Sequence, residues 1–204
     1  MSREDAKKIA DILKELDQRA ARALLQKNHD EALMIYHEIL KAQQDLGLEK
    51  LSGHTLLNMA NVSMMKGDFT KALSMIEQAA TLKSIQKDEK DRGNVEIFRA
   101  NNMFLTNHAE EAEHILLREL KRNKNHTACG QMELLLFGYY RRGQKNAKAR
   151  SIVDKAISHF KLDHNKEDLI RAYRCRADHF MELGQKLYAE LDLAEIEKLE
   201  ERGA

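Results

Sequence analysis

Gly67-Asp68-Phe69-Thr70-Lys71-Ala72 is the stretch that decides the fold, because it returns along the chain. Near the far end it reads Gly184-Gln185-Lys186-Leu187-Tyr188-Ala189, and weaker copies run from Lys27 to Ala32, Asn107 to Ala112 and Gln144 to Ala149. The closing alanines, Ala32, Ala72, Ala112, Ala149 and Ala189, are spaced by 40, 40, 37 and 40 residues, and each copy opens with a polar residue or glycine suited to a turn. Twelve residues before the alanine stands a second small side chain, at Ala20, Ala60, Ala100 and Ala177, with Phe137-Gly138 in the irregular fourth copy. Small residues at fixed places on both sides of a turn let two helix backbones approach closely. The period therefore predicts stacked helical hairpins.

Composition agrees. With no proline, nine glycines, 5% aromatic and 33% charged residues, the chain reads as all-helical with charged exposed faces. Ten helices are expected in five pairs, at 5–27 with 29–46, 50–66 with 69–85, 89–106 with 109–123, 127–142 with 145–160, and 166–183 with 186–201. Asp68 and either Asp163 or Asn165 are candidate N-caps. Leu16, Met59, Met75, Ile76, Leu116, Leu136, Ile152, Phe180, Leu193 and Ile196 fall on the faces expected to pack. No linker divides the chain, so residues 1–204 read as a single repeat domain.

A bulky residue also lies four positions beyond each alanine, at Tyr36, Ile76, Leu116, Val153 and Leu193. In these features the sequence resembles the tetratricopeptide repeat family from about Lys14 to Leu199. The step exceeds the usual ~34 residues and no proline follows the second helix, which is similar to the long-repeat variety found in adaptors, motor-cargo proteins and bacterial receptors for signalling peptides. The resemblance implies an all-α solenoid of five hairpins in a right-handed superhelix. It further implies a protein- or peptide-binding adaptor or scaffold whose concave groove is lined by the first helix of each pair.

Projected onto that groove, Asn58, Asn61, Asn101, Arg141, Arg171, Arg174 and Asp178 are the candidate peptide-binding residues, with His54, Asn94, Gln131 and Glu182 among their neighbours. Asn61 and Asn101 hold equivalent places one repeat apart, and a carboxamide offers both a donor and an acceptor to a peptide backbone. The family's clamp for a peptide C-terminus is incomplete, because Asp17, Ala21, Asn58, Asn94 and Phe98 at the matching places supply no cation. Further along, Arg171, Arg174 and Arg176 cluster, and nine basic residues between Arg118 and Arg150 face only Glu119 and Glu133. An acidic, extended or helical peptide is the expected ligand. An alternative is the peptide-sensing part of a bacterial-type regulator. Nucleic acid is disfavoured, because the net charge is only +1 and no aromatic stacking platform accompanies the basic residues.

Enzymatic chemistry and cofactors are not expected. The nine histidines show no metal-ligand spacing, and His29 and His108 read as packing residues of the turns. Cys129 and Cys175 read as reduced thiols. Without an apolar leader core from Met1 to Lys8 or a run long enough to span a bilayer, the expected location is cytoplasmic. Leu187, Leu191, Leu193, Ile196 and Leu199 on the closing helix, Lys186 to Arg202, suggest an end covered by a second copy in a homo-oligomer through the terminal helices, by a partner, or by further sequence.

Overall fold

The computed structural model describes residues 3–201, with side chains from Lys7 onward. Met1 and Ser2, at the start of the stretch read for a leader, and Arg202, at the end of the expected closing helix, lie outside the described residues. The fold is all-α, and no strand occurs among the described residues. The chain divides into two compact units at Thr106/Asn107. Unit 1 holds α1 (Arg3–Leu25), α2 (His29–Asp45), α3 (Glu49–Met65), α4 (Phe69–Thr81), the short α5 (Lys83–Lys87) and α6 (Glu89–Leu105). Unit 2 holds α7 (Ala109–Arg122), α8 (His126–Arg142), α9 (Asn146–Leu162), α10 (Lys166–Glu182) and α11 (Lys186–Glu201). Within each unit successive helices pack in hairpins, and the first helices of consecutive hairpins also meet, α3 with α6 and α8 with α10. The helices of the third expected pair, α6 and α7, belong to different units.

The recurring turn has one backbone device. The residue five before each repeat alanine has positive φ: 58° at Lys27, 81° at Gly67, 63° at Asn107, 55° at Gln144 and 74° at Gly184. This left-handed residue reverses the chain so that the orphan carbonyls of the preceding helix are satisfied. Gly67 N–H donates to Met64 O and Asp68 N–H to Ser63 O, both at 2.9 Å, and the same pair of bonds recurs at Lys27/Asn28, Gln144/Lys145 and Gly184/Gln185. Asn28, Asp68 and Asn165 then cap the following helices through their side chains. Asp163 does not cap; its carboxylate accepts the Thr127 hydroxyl instead.

All five repeat alanines are fully buried, as are Ala20, Ala60 and Ala100. The fourth copy solves the packing differently from the sequence expectation. Phe137 fills the small-residue place, whereas Gly138 has open space where a Cβ would stand. Close approach occurs instead at Gly130, where a Cβ would lie 2.6 Å from the Phe160 ring, and at Gly53, where it would lie 2.7 Å from Ile85. Gly53 and Gly130 both stand seven residues before the small-residue place, a recurrence that includes Gly93.

Three further expectations change. The helix expected over 69–85 breaks at Leu82, whose backbone is extended. The break swings Ile85 over Gly53, and the Glu49 carboxylate accepts Lys83 N–H at 2.7 Å, satisfying the new helix start. Leu193 is 46% exposed, because α11 has no later helix among the described residues to cover that face; Ile196 is buried in its stead. Leu187 and Leu191 of α11 are also exposed. His108 precedes α7 as an exposed cap residue, whereas only His29 is half-buried as a packing residue would be. Both cysteines are free thiols, Cys129 buried and Cys175 half-buried. No helix among the described residues is long and apolar enough to cross a membrane.

Candidate functional site

In unit 1 the helical period sets His54, Asn58 and Asn61 in a row along α3, and Asn94, Phe98 and Asn101 in the equivalent row along α6. Between the rows lies an open pocket of ≈ 370 Å³, lined in part by Lys50, His54, Asn58, Asp91, Asn94 and Phe98. Its floor is an ion-pair cluster. Lys50 Nζ lies 2.8 Å from Asp88 Oδ2 and 2.9 Å from Asp91 Oδ2, while His54 Nε2 lies 2.8 Å from Asp91 Oδ1. Asp91 is buried, and these partners compensate both of its oxygens. Hydrogen bonding to Lys50 holds the Asp88 carboxyl below the ordinary carboxylate range.

The amides above that floor are available. Asn58 and Asn61 are exposed and Asn94 is half-exposed, and none makes a side-chain hydrogen bond among the described residues. Asn101 is half-buried, its Nδ2 3.9 Å from Met64 Sδ. The neighbouring Asn102 points inward and donates to Phe69 O at 2.8 Å, so its role is structural.

In unit 2 the corresponding face is built by α8 and α10, and Arg141, Arg171 and Arg174 on it are ion-paired. Arg141 binds Glu182 in bidentate fashion, with Nε 2.7 Å from Oε2. Arg171 Nη2 lies 2.9 Å from Asp168 Oδ1, and Gln131 Nε2 donates to Asp168 Oδ2 at 3.0 Å. Arg174 Nη2 is 3.7 Å from Glu200 Oε1, in a pair whose side chains are both more than half exposed. Asp178 is exposed on the same helix. Burial pushes the Cys175 thiol up from its ordinary pKa, against the pull of Arg171.

Arg176 departs from the cluster read in the sequence. Its guanidinium is held between Asp192, with Nε 2.9 Å from Oδ2, and Asp154, and stacks against Tyr173. The basic excess between Arg118 and Arg150 is likewise moderated by carboxylates outside that stretch, Glu113 beside Lys148 and Glu182 beside Arg141. Lys145 and Lys148 also lie over the rings of Tyr139 and Tyr140.

The structure thus brings Asn58 to the Asn94 pocket in unit 1, and sets Asn61 and Asn101 further along the same two helices. In unit 2, Arg171, Arg174 and Asp178 share α10, and Arg141 reaches α10 through Glu182. Asp91 and Asp168, the carboxylates that organise these faces, were missed in the sequence. Their signal was an aspartate nine positions before the small-residue place in three of the five repeats, at Asp11, Asp91 and Asp168.

No family model matches the sequence, and no curated protein matches it. Among solved structures, the chain is similar to BtubC (BKLC) from P. vanneervenii, with a TM-score of 0.67 at 15% identity, covering 98% of this chain and 84% of that one. At that identity the likeness concerns the fold, and it agrees with the all-α architecture.

Proposed function

We propose that the chain is a non-enzymatic, peptide-binding module of the tetratricopeptide kind, and that its ligand is an extended or helical segment lying on the faces of the first helices. The observation that carries this reading is the set of carboxamides, Asn58, Asn61 and Asn94, unpartnered among the described residues, on two adjacent helices above an ion-paired floor. Such amides bond the C=O and N–H of a peptide while leaving its side chains free. Phe98 supplies an apolar wall beside them.

Acidic preference is assigned to unit 2. Exposed ion pairs contribute little in water, so Arg174 can exchange Glu200 for a ligand carboxylate at small cost, whereas Arg171, itself exposed, would turn from the buried Asp168, which keeps Gln131 as a partner. Arg141, gripped by both oxygens of Glu182, is the poorer donor.

Selection of binders from a random peptide library tests the proposal. Asn61→Ala with Asn101→Ala is expected to weaken a selected peptide by about 1 to 3 kcal/mol. Arg171→Glu with Arg174→Glu is expected to remove the salt dependence of binding. Folded double variants that both bind as the unsubstituted chain does would refute the assignment.

A further inference from the structure

In unit 2 an open pocket of ≈ 330 Å³ lies where the end of α9, the start of α10 and the last two turns of α11 meet. Its walls are Phe160, Leu169 and Tyr173, all buried, and the half-buried Leu199. The rest of the lining is Lys161, His164, Lys166 and Glu195. Lys161 Nζ stands 5.5 Å from the centre of the Tyr173 ring, and the Glu195 carboxylate accepts from Lys198 at 2.7 Å. Lys161, His164 and Lys166 are exposed, and none has an ion-pair partner among the described residues.

Three repeats earlier, as Ala32 stands to Ala149, the same joint in unit 1 forms a pocket with a different charge. Gly47 and His164 both hold a left-handed corner, with φ of 67° and 52°. At the equivalent places Gln44 matches Lys161, Gly47 matches His164, Glu49 matches Lys166 and Leu82 matches Leu199. The apolar walls are kept, Leu56 being matched by Tyr173, while all three polar places differ in the basic direction. Neither turn nor packing calls for this change. Glycine serves the corner without strain, and Glu49 accepts Lys83 N–H at 2.7 Å to start α5, a duty that Lys166 does not have.

Basic groups gathered at an apolar pocket attract an anion, and an apolar body attached to that anion displaces water from the walls. We infer that this pocket binds a small apolar carboxylate, its body against Phe160, Leu169, Tyr173 and Leu199 and its carboxylate at Lys161, His164 and Lys166. The volume, near the lower end for ligand pockets, suits one apolar group with one charged end. A free medium-chain acid and the C-terminal leucine of a peptide carry that same chemistry. The site is separate from the peptide-binding face proposed above, because Leu169 and Tyr173 lie on the side of α10 opposite Arg171, Arg174 and Asp178.

Titration of the full chain with sodium octanoate, read by side-chain NMR, tests the site. Saturable shifts of the Leu169 and Leu199 methyls and the Tyr173 ring are expected, with a Kd on the order of 1 mM. Octanamide and octylammonium chloride are expected to bind at least about 10-fold more weakly. Acetyl-glycyl-glycyl-leucine, compared with its C-terminal amide, distinguishes the two sources. Tighter binding of the free-acid peptide than of octanoate assigns the pocket to peptide ends, and weaker binding assigns it to free acids. Lys161→Gln with His164→Gly and Lys166→Glu, which installs the unit 1 lining, is expected to weaken octanoate at least about 10-fold. Lys121→Gln, at an exposed place on α7, is expected to leave it unaltered. Should the triple variant fail to fold, Lys161→Gln with Lys166→Gln repeats the test with the corner intact. No saturable shift at these side chains, equal binding of octylammonium, or unchanged affinity in the folded variant overturns the inference.

Discussion

His54 Nε2 lies 2.8 Å from Asp91 Oδ1, joining α3 to α6 across 37 residues of sequence. Gln131 and Asp168 repeat the relation in unit 2 at 3.0 Å, between α8 and α10. In both cases a residue six before one small-residue place meets an aspartate nine before the next. The clasp fixes the register of consecutive first helices, and so the spacing of the side chains they display. Lys50→Met with His54→Ala strands the buried Asp91 carboxylate, and is expected to cost about 1 to 3 kcal/mol in urea unfolding. Adding Asp91→Asn should recover part of that loss.

Glycine substitutions separate two readings of the fourth repeat. Gly130→Ala drives a Cβ to within 2.6 Å of Phe160, a fully buried ring, and is expected to cost about 1 to 3 kcal/mol. Gly138→Ala meets open space inside a helix and is expected to be stabilising by about 0.5 to 1 kcal/mol. Thermal unfolding of the two variants should shift in opposite directions.

Arg176 is a stability residue. Its two carboxylate partners include Asp192, whose side chain is 4% exposed, so Arg176→Met leaves a buried charge uncompensated. A loss of about 3 to 5 kcal/mol is expected. Replacement of Asp192 by Asn in the same chain should restore much of it, while peptide binding by either folded variant stays unchanged.

Acid sensitivity is expected from His179. Both ring nitrogens are buried without hydrogen-bond partners, and burial, then Arg141, lower its pKa from the ordinary value of about 6.5. The fold therefore favours the neutral ring, while the unfolded chain takes up a proton below about pH 6.5. Stability should fall as pH drops through that value and be indifferent to His179 above it. Tm measured across this range should show a smaller acid decline in His179→Phe; an identical decline would remove His179 as the cause.

The repeat was legible in the sequence because it is written in local constraints. A left-handed corner, a capping side chain and a small residue each act within one turn of the chain, so Gly67, Asp68 and Ala72 announce themselves wherever they recur. The broken helix at Leu82 and the tight packing at Gly130 were less visible. Both follow from how Ile85 and Phe160 enter space left by residues about 30 positions earlier.

For the candidate site, the sequence determined which side chains share a helix face, since 3.6 residues per turn places Asn58 with Asn61 and Arg171 with Arg174. Only the tertiary structure decided which of them are occupied. Arg141 places its guanidinium on Glu182, 41 residues away, while Asn58 and Asn61 have no partner among the described residues, and His126 meets His159 across 33 residues. Contacts at that range depend on the register between packed helices. That register is fixed by the shapes of two faces together, and neither face alone encodes it.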